Sequence, residues 1–162
     1  MSSQHVFKVT TNWIKKEGES TTSPKSYSRN HTVSIEGKSS DLHVSAAKVF
    51  KGDATLHNPE DLLLSAISSC HMMSFFYLCS LHNIEVVTYT DHAQGILNVE
   101  ANGKGQFTSV QLHLVITVSQ PEMLQKAKEL HVEANKLCFI ANSCNFPITH
   151  EVEVSVYIEE AI

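Results

Sequence analysis

The feature that most constrains this fold is the run Leu62–Leu81 (LLLSAISSCHMMSFFYLCSL), which contains no Asp, Glu, Lys or Arg. Its start is well marked. Asn58 suits an N-cap, Pro59 the first helical position, and Glu60 and Asp61 complement the positive end of the helix dipole. The run approaches membrane-spanning length, but Ser65, Ser68, Ser69, His71 and Ser74 interrupt it. The better reading is a helix buried inside a protein. Because it is apolar on nearly every side, it is expected to be buried all round. For a chain of 162 residues that points to a second copy. Asn83 is expected to end the helix.

Strands surround it. Phe7, Val9, Thr11 and Trp13 alternate with polar residues, as in a half-buried strand. After the polar loop Lys15–Lys25, Tyr27, Arg29, His31, Val33 and Ile35 share the next strand face. Glu36-Gly37-Lys38 forms a turn, and Leu42, Val44 and Ala46 begin a third strand. Beyond the helix, strands are expected at Ile84–Tyr89 and Ile96–Glu100. The Asn102-Gly103 turn then leads to a long strand in which Leu112, Leu114, Ile116 and Val118 alternate. Ser119–Glu122 reads as a capping box with Pro121 in the first turn. Met123, Ala127, Leu130, Ala134 and Leu137 follow at helical spacing. Val152, Val154, Val156 and Ile158 make the last strand. This gives an α+β fold: antiparallel sheets around a long buried helix, in a single domain spanning 1–162.

Composition excludes some classes. With 42% hydrophobic and 18% charged residues, the chain can build a core. A net charge of −5 with scattered basic residues disfavours nucleic acid as a partner. No signal-peptide pattern opens the sequence, so a cytoplasmic location without membrane attachment is expected. The four cysteines, at 70, 79, 138 and 144, include no CxxC pair. They are read as redox-active or nucleophilic rather than as staples or zinc ligands.

Two readings stand for each residue that could carry chemistry. Cys70 lies mid-helix among Ala66, Ile67 and Met73, surroundings that disfavour a thiolate. It is either a small core residue or a nucleophile served by a cation from elsewhere. His71 points about 100° away from Cys70 around the helix, so it is a packed or hydrogen-bonded histidine rather than its base. Arg29, the sole arginine, is either a snorkelling edge residue or a functional guanidinium on an inward face. Glu60 is either a dipole-compensating carboxylate or the partner that holds Arg29 by a bidentate pair. Cys138 follows a helix end and enters the loop-like stretch CFIANSCNFP, from which it could approach another thiol. Cys144 shares that loop, and Cys79 faces the core.

The motif HNPEDLLLSAISSCH, followed later by LCFIANS, resembles the OsmC/Ohr family of osmotically inducible and organic hydroperoxide resistance proteins. The order of strands and helices between these motifs is also similar. The resemblance implies an OsmC-like fold in an intertwined homodimer. It also implies a thiol peroxidase for organic hydroperoxides that needs no cofactor or metal. Position by position, Cys70 becomes the peroxidatic cysteine and Cys138 the resolving one. Glu60 becomes the carboxylate that holds the catalytic arginine, and Arg29, matched by order alone, that arginine. An external dithiol, with a lipoylated protein as one candidate, would reduce the disulfide. His71, Phe139-Ile140 and Cys144 depart from the pattern of the Ohr branch.

Glu60 and Cys70 lie ten residues apart, about 15 Å along an unbroken helix, so the expected site is shared between two chains. The alternatives are a non-catalytic module binding an apolar small molecule and a cysteine hydrolase or acyl transferase. The hydrolase would need a general base and an oxyanion hole but no second cysteine.

Overall fold

The structure is a computed structural model describing residues 3–158. The chain divides into two compact units, one ending at Leu62 and the other beginning at Leu63.

The first unit holds an antiparallel sheet of β1 (Val9–Asn12), β2 (His31–Ile35) and β3 (Leu42–Val44) in that order. Its strands are shorter than the alternation predicts. Tyr27 and Arg29 precede β2, so Arg29 is not on a strand face. Every residue of β1 is exposed, where half-burial was expected. Alternation marks the face that could be covered, and among the described residues nothing covers it. Trp13 anchors the irregular segment through a hydrogen bond from Nε1 to Ser28 O at 2.8 Å, and Glu19 Oε1 accepts from Ser28 N at 3.0 Å.

Buried Ser45 ties the chain after β3 into place. Its hydroxyl donates to Asn30 Oδ1 at 2.8 Å and accepts from Asp53 N at 3.0 Å. Gly52 is required there, because a Cβ would lie 1.6 Å from the Ala46 carbonyl oxygen.

The helix α1 (Pro59–Leu81) begins as read from the sequence, with Asn58 Oδ1 accepting from Asp61 N at 2.9 Å. It ends before Asn83, whose φ of +54° is left-handed. Only Ile67, His71, Phe75 and Cys79, a stripe spaced by four, are buried. Met73, Tyr77 and Leu81 remain 60%, 59% and 59% exposed. The expectation of burial all round therefore fails within one chain, which supplies a core to one face of the helix only. By length and composition α1 could also cross a bilayer, but its buried stripe belongs to the core of the second unit.

That core rests on a four-stranded sheet of β4 (Val86–Asp91), β5 (Gln94–Val99), β6 (Gly105–Val118) and β7 (Ile148–Val156). β4 and β5 pair antiparallel with successive parts of β6. The tight turn between β5 and β6 places Gly103 at φ +85°. Alternate residues of β6 (Val110, Leu112, Leu114, Ile116 and Val118) are all but inaccessible, and each contributes roughly 1.5–3 kcal/mol by burial. β7 pairs with β6 in parallel, from Val110↔Ile148 to Val118↔Val156, which corrects the expectation of purely antiparallel sheets. The helix α2 (Leu124–Leu137) is the crossover that such a parallel pair needs. The capping box at Ser119–Glu122 does not form. A 3₁₀ turn occupies Pro121–Met123, and the Ser119 hydroxyl faces Met123 Sδ at 3.6 Å.

Candidate functional site

Two concave sites, one in each unit, hold three of the four site residues expected from the sequence: Arg29 and Glu60 in one, Cys70 in the other. In the first unit, a cavity of about 400 Å³ is lined by Trp13, Tyr27, Arg29, His31, Ser45 and Glu60, among others. The Arg29 guanidinium is fixed by backbone oxygens, donating to Pro24 O at 2.9 Å and Tyr27 O at 3.4 Å. Its Cζ lies 4.8 Å from the centroid of the Tyr27 ring, within cation–π range. Arg29 and Glu60 line the same cavity, yet among the described residues no ion pair joins them. Glu60 Oε2 is buried without a hydrogen-bond partner. A carboxylate oxygen in that position calls for a donor.

In the second unit, Cys70 opens onto an apolar groove of about 350 Å³, shared with Met73, Ser74, Tyr77, Leu137 and Phe139. Cys138 caps the C-terminus of α2 and is fully buried, not carried on an exposed loop as its sequence context suggested. Both thiols are free. Burial, with a smaller push from the neighbouring Cys70, raises the Cys138 thiol to about 11. Cys138 therefore keeps its proton at neutral pH. The Ala141 amide donates to Cys138 Sγ at 3.4 Å. Cys79 is a core thiol held at about 11 by burial, and the Cys144 thiol donates to Ile140 O at 3.3 Å.

His71 turns away from Cys70, as its helical position requires, and its Nε2 lies 3.0 Å from Nδ1 of His131 on α2. Both rings are buried, and His150 of β7 lies beside them. Burial, with a smaller push from neighbouring histidines, lowers His71 to about 4 and His131 to about 3. Sequence reasoning missed His131. The signal was present in its place between Leu130 and Ala134 on the buried face of α2, but it was hidden because histidine counts as polar in any periodicity.

An α+β fold with a cysteine opening onto an apolar groove in one unit and an arginine cavity in the other defines the class of protein in which relatives can be sought. The chain belongs to the OsmC-like protein family, whose model matches residues 52–153. Its structure is similar to that of an OsmC-like protein of unknown function from Vibrio cholerae. The two are 30% identical with a TM-score of 0.82, over 94% of this chain and 100% of that one. An organic hydroperoxide resistance protein from Elizabethkingia anophelis shares the fold at 20% identity and a TM-score of 0.67, over 97% and 100% of the two chains. Organic hydroperoxide resistance protein OhrB of Bacillus subtilis does so at 17% and 0.61, over 93% and 98%. No curated protein matches the sequence.

Proposed function

We propose that the chain is a thiol-dependent peroxidase that reduces organic hydroperoxides to alcohols. The observation that carries this reading is that Cys70 opens onto an apolar groove with the Cys138 thiol as its neighbour. The Cys70 thiolate attacks the terminal oxygen of ROOH, the O–O bond breaks, and ROH leaves with a proton. Cys70 is then a sulfenic acid. Cys138 attacks its sulfur, the S–O bond breaks, and water leaves as the disulfide forms. A dithiol such as a lipoyl group exchanges with that disulfide and restores both thiols. The groove lining of Met73, Tyr77, Leu137 and Phe139 suits an alkyl chain better than hydrogen peroxide.

The cation in this scheme is Arg29, with Glu60 orienting it. Arg29 and Glu60 line a cavity that includes no cysteine. Along α1, Glu60 and Cys70 are separated by about 15 Å of helical rise. Both facts support a site completed by a second copy of the chain. So does the bare apolar face of α1 at Met73, Tyr77 and Leu81. Within the same proposal the chain acts as one functional domain, in a cytoplasmic homodimer.

The test is a steady-state assay with cumene hydroperoxide and hydrogen peroxide, each with dithiothreitol and with a lipoyl dithiol. Turnover faster with the organic peroxide, accompanied by peroxide-dependent loss of two thiols per chain, is expected. Without thiol loss the alternative stands: a non-catalytic module that binds an apolar molecule in the same groove.

A further inference from the structure

Cys70 sits on α1 and Cys138 at the end of α2, so disulfide formation depends on the register between these two helices. Among the described residues, the bond between His71 Nε2 and His131 Nδ1 is the only hydrogen bond joining them. His71 is the neighbour of Cys70. His131 precedes Cys138 by seven residues, two helical turns, and so lies on the same face of α2. The ring centroids are 5.3 Å apart and the planes differ by 14°. With 3.0 Å between the nitrogens, this is an edge-to-edge, nearly coplanar bond.

The pair is costly as packing. His71 Nδ1 and His131 Nε2 are buried without partners, a desolvation penalty that two apolar side chains of similar volume would not carry. His131 also stacks on Phe75 at 4.0 Å, a contact phenylalanine could make equally well. The imidazoles add direction. Apolar contacts allow helices to slide, whereas a buried hydrogen bond tolerates little change in length or angle. Both rings stay neutral at physiological pH, so one nitrogen donates and the other accepts.

We propose that His71 and His131 are positioning residues, whose hydrogen bond sets the register of α1 and α2 that holds Cys138 against Cys70 for disulfide closure. The proposal rests on reading Cys70 and Cys138 as the redox pair. It does not require the oxidant to be a peroxide.

The test uses 2,2′-dipyridyl disulfide on the full chain carrying Cys144→Ser. Cys70 attacks the reagent and releases one pyridine-2-thione, leaving a mixed disulfide. Cys138 then displaces the second thione and closes the protein disulfide, so the two steps separate as two phases. His131→Phe keeps the stack on Phe75 and loses the link. Its first phase should stay within about twofold of the parent, while its second slows at least about tenfold, the worth of one directional hydrogen bond. His131→Gln, which can still bond to His71, should close within about threefold of the parent. Closure of His131→Phe at the parental rate would overturn the proposal, as would equal slowing of both variants. If His131→Phe does not fold, His71→Phe and His71→Gln are read in the same way. Parental protein that releases both thiones but ignores hydroperoxides would sink the peroxidase and leave the positioning role intact.

Discussion

The arginine cavity of the first unit and the thiol groove of the second are opposites. The cavity has a guanidinium held by backbone carbonyls, a carboxylate with an unpartnered oxygen and two large aromatics, but no cysteine among the described residues. The groove has the Cys70 sulfur, with the Cys138 thiol its neighbour, is walled by Met73, Tyr77, Leu137 and Phe139, and among the described residues has no charged lining. Thiol chemistry on a peroxide needs both, because an apolar wall cannot stabilise a thiolate and a guanidinium cannot attack. In the proposed function each region is half of a site.

The comparison breaks outright if Cys70 is dispensable. Cys70→Ser should reduce peroxidase turnover by more than about a thousandfold, since an alkoxyl cannot become a sulfenic acid. Steady-state rates with cumene hydroperoxide decide this. Next in size, Arg29→Lys should cost about a hundredfold, because an ammonium cannot reproduce the planar fork. An unchanged rate in that variant would return the first unit's cavity to ordinary surface.

Subunit exchange sharpens the idea of two halves. When inactive Cys70→Ser and Glu60→Ala proteins are mixed, each hybrid dimer should carry one intact site, so about a quarter of sites should recover. A mixture that stays dead under proven exchange would put both halves in one chain. Cys138→Ser should leave the first oxidation nearly unchanged but block recycling. Mass spectrometry should then find sulfenic or over-oxidised Cys70. A Cys70–Cys144 disulfide in the parent protein would name a different resolving thiol.

The smallest effect concerns acid. His71 and His131 bind protons less readily folded than unfolded, so the unfolded chain takes up protons first as pH falls below about 6.5. Stability is then full above that pH and falls progressively toward pH 4. Among the described residues of the first unit no histidine is fully buried. Hydrogen exchange at pH 4 should therefore show protection lost earlier in residues 63–158 than in residues 3–62. Melting temperature should drop by a few degrees less between pH 7 and 4 in His131→Gln than in the parent. Equal drops would remove the histidines from the account.

The sequence alone determined the boundaries of α1, because capping and φ preferences are local. Asn58, Pro59 and Asn83 mark the helix whatever packs against it. It also determined the alternation of β6 and the motifs that carry the family resemblance. Only the tertiary structure decided the rest. The parallel pairing of β7 with β6 depends on a long-range crossover that no window of residues contains. The bare face of α1 depends on how much core one chain can supply. Arg29 left its expected strand because the carbonyls of Pro24 and Tyr27 hold it. The bond between His71 and His131 spans 60 residues of sequence. A histidine reveals whether it is buried and neutral or exposed and titrating only when its neighbours are known, because desolvation is a property of the surroundings.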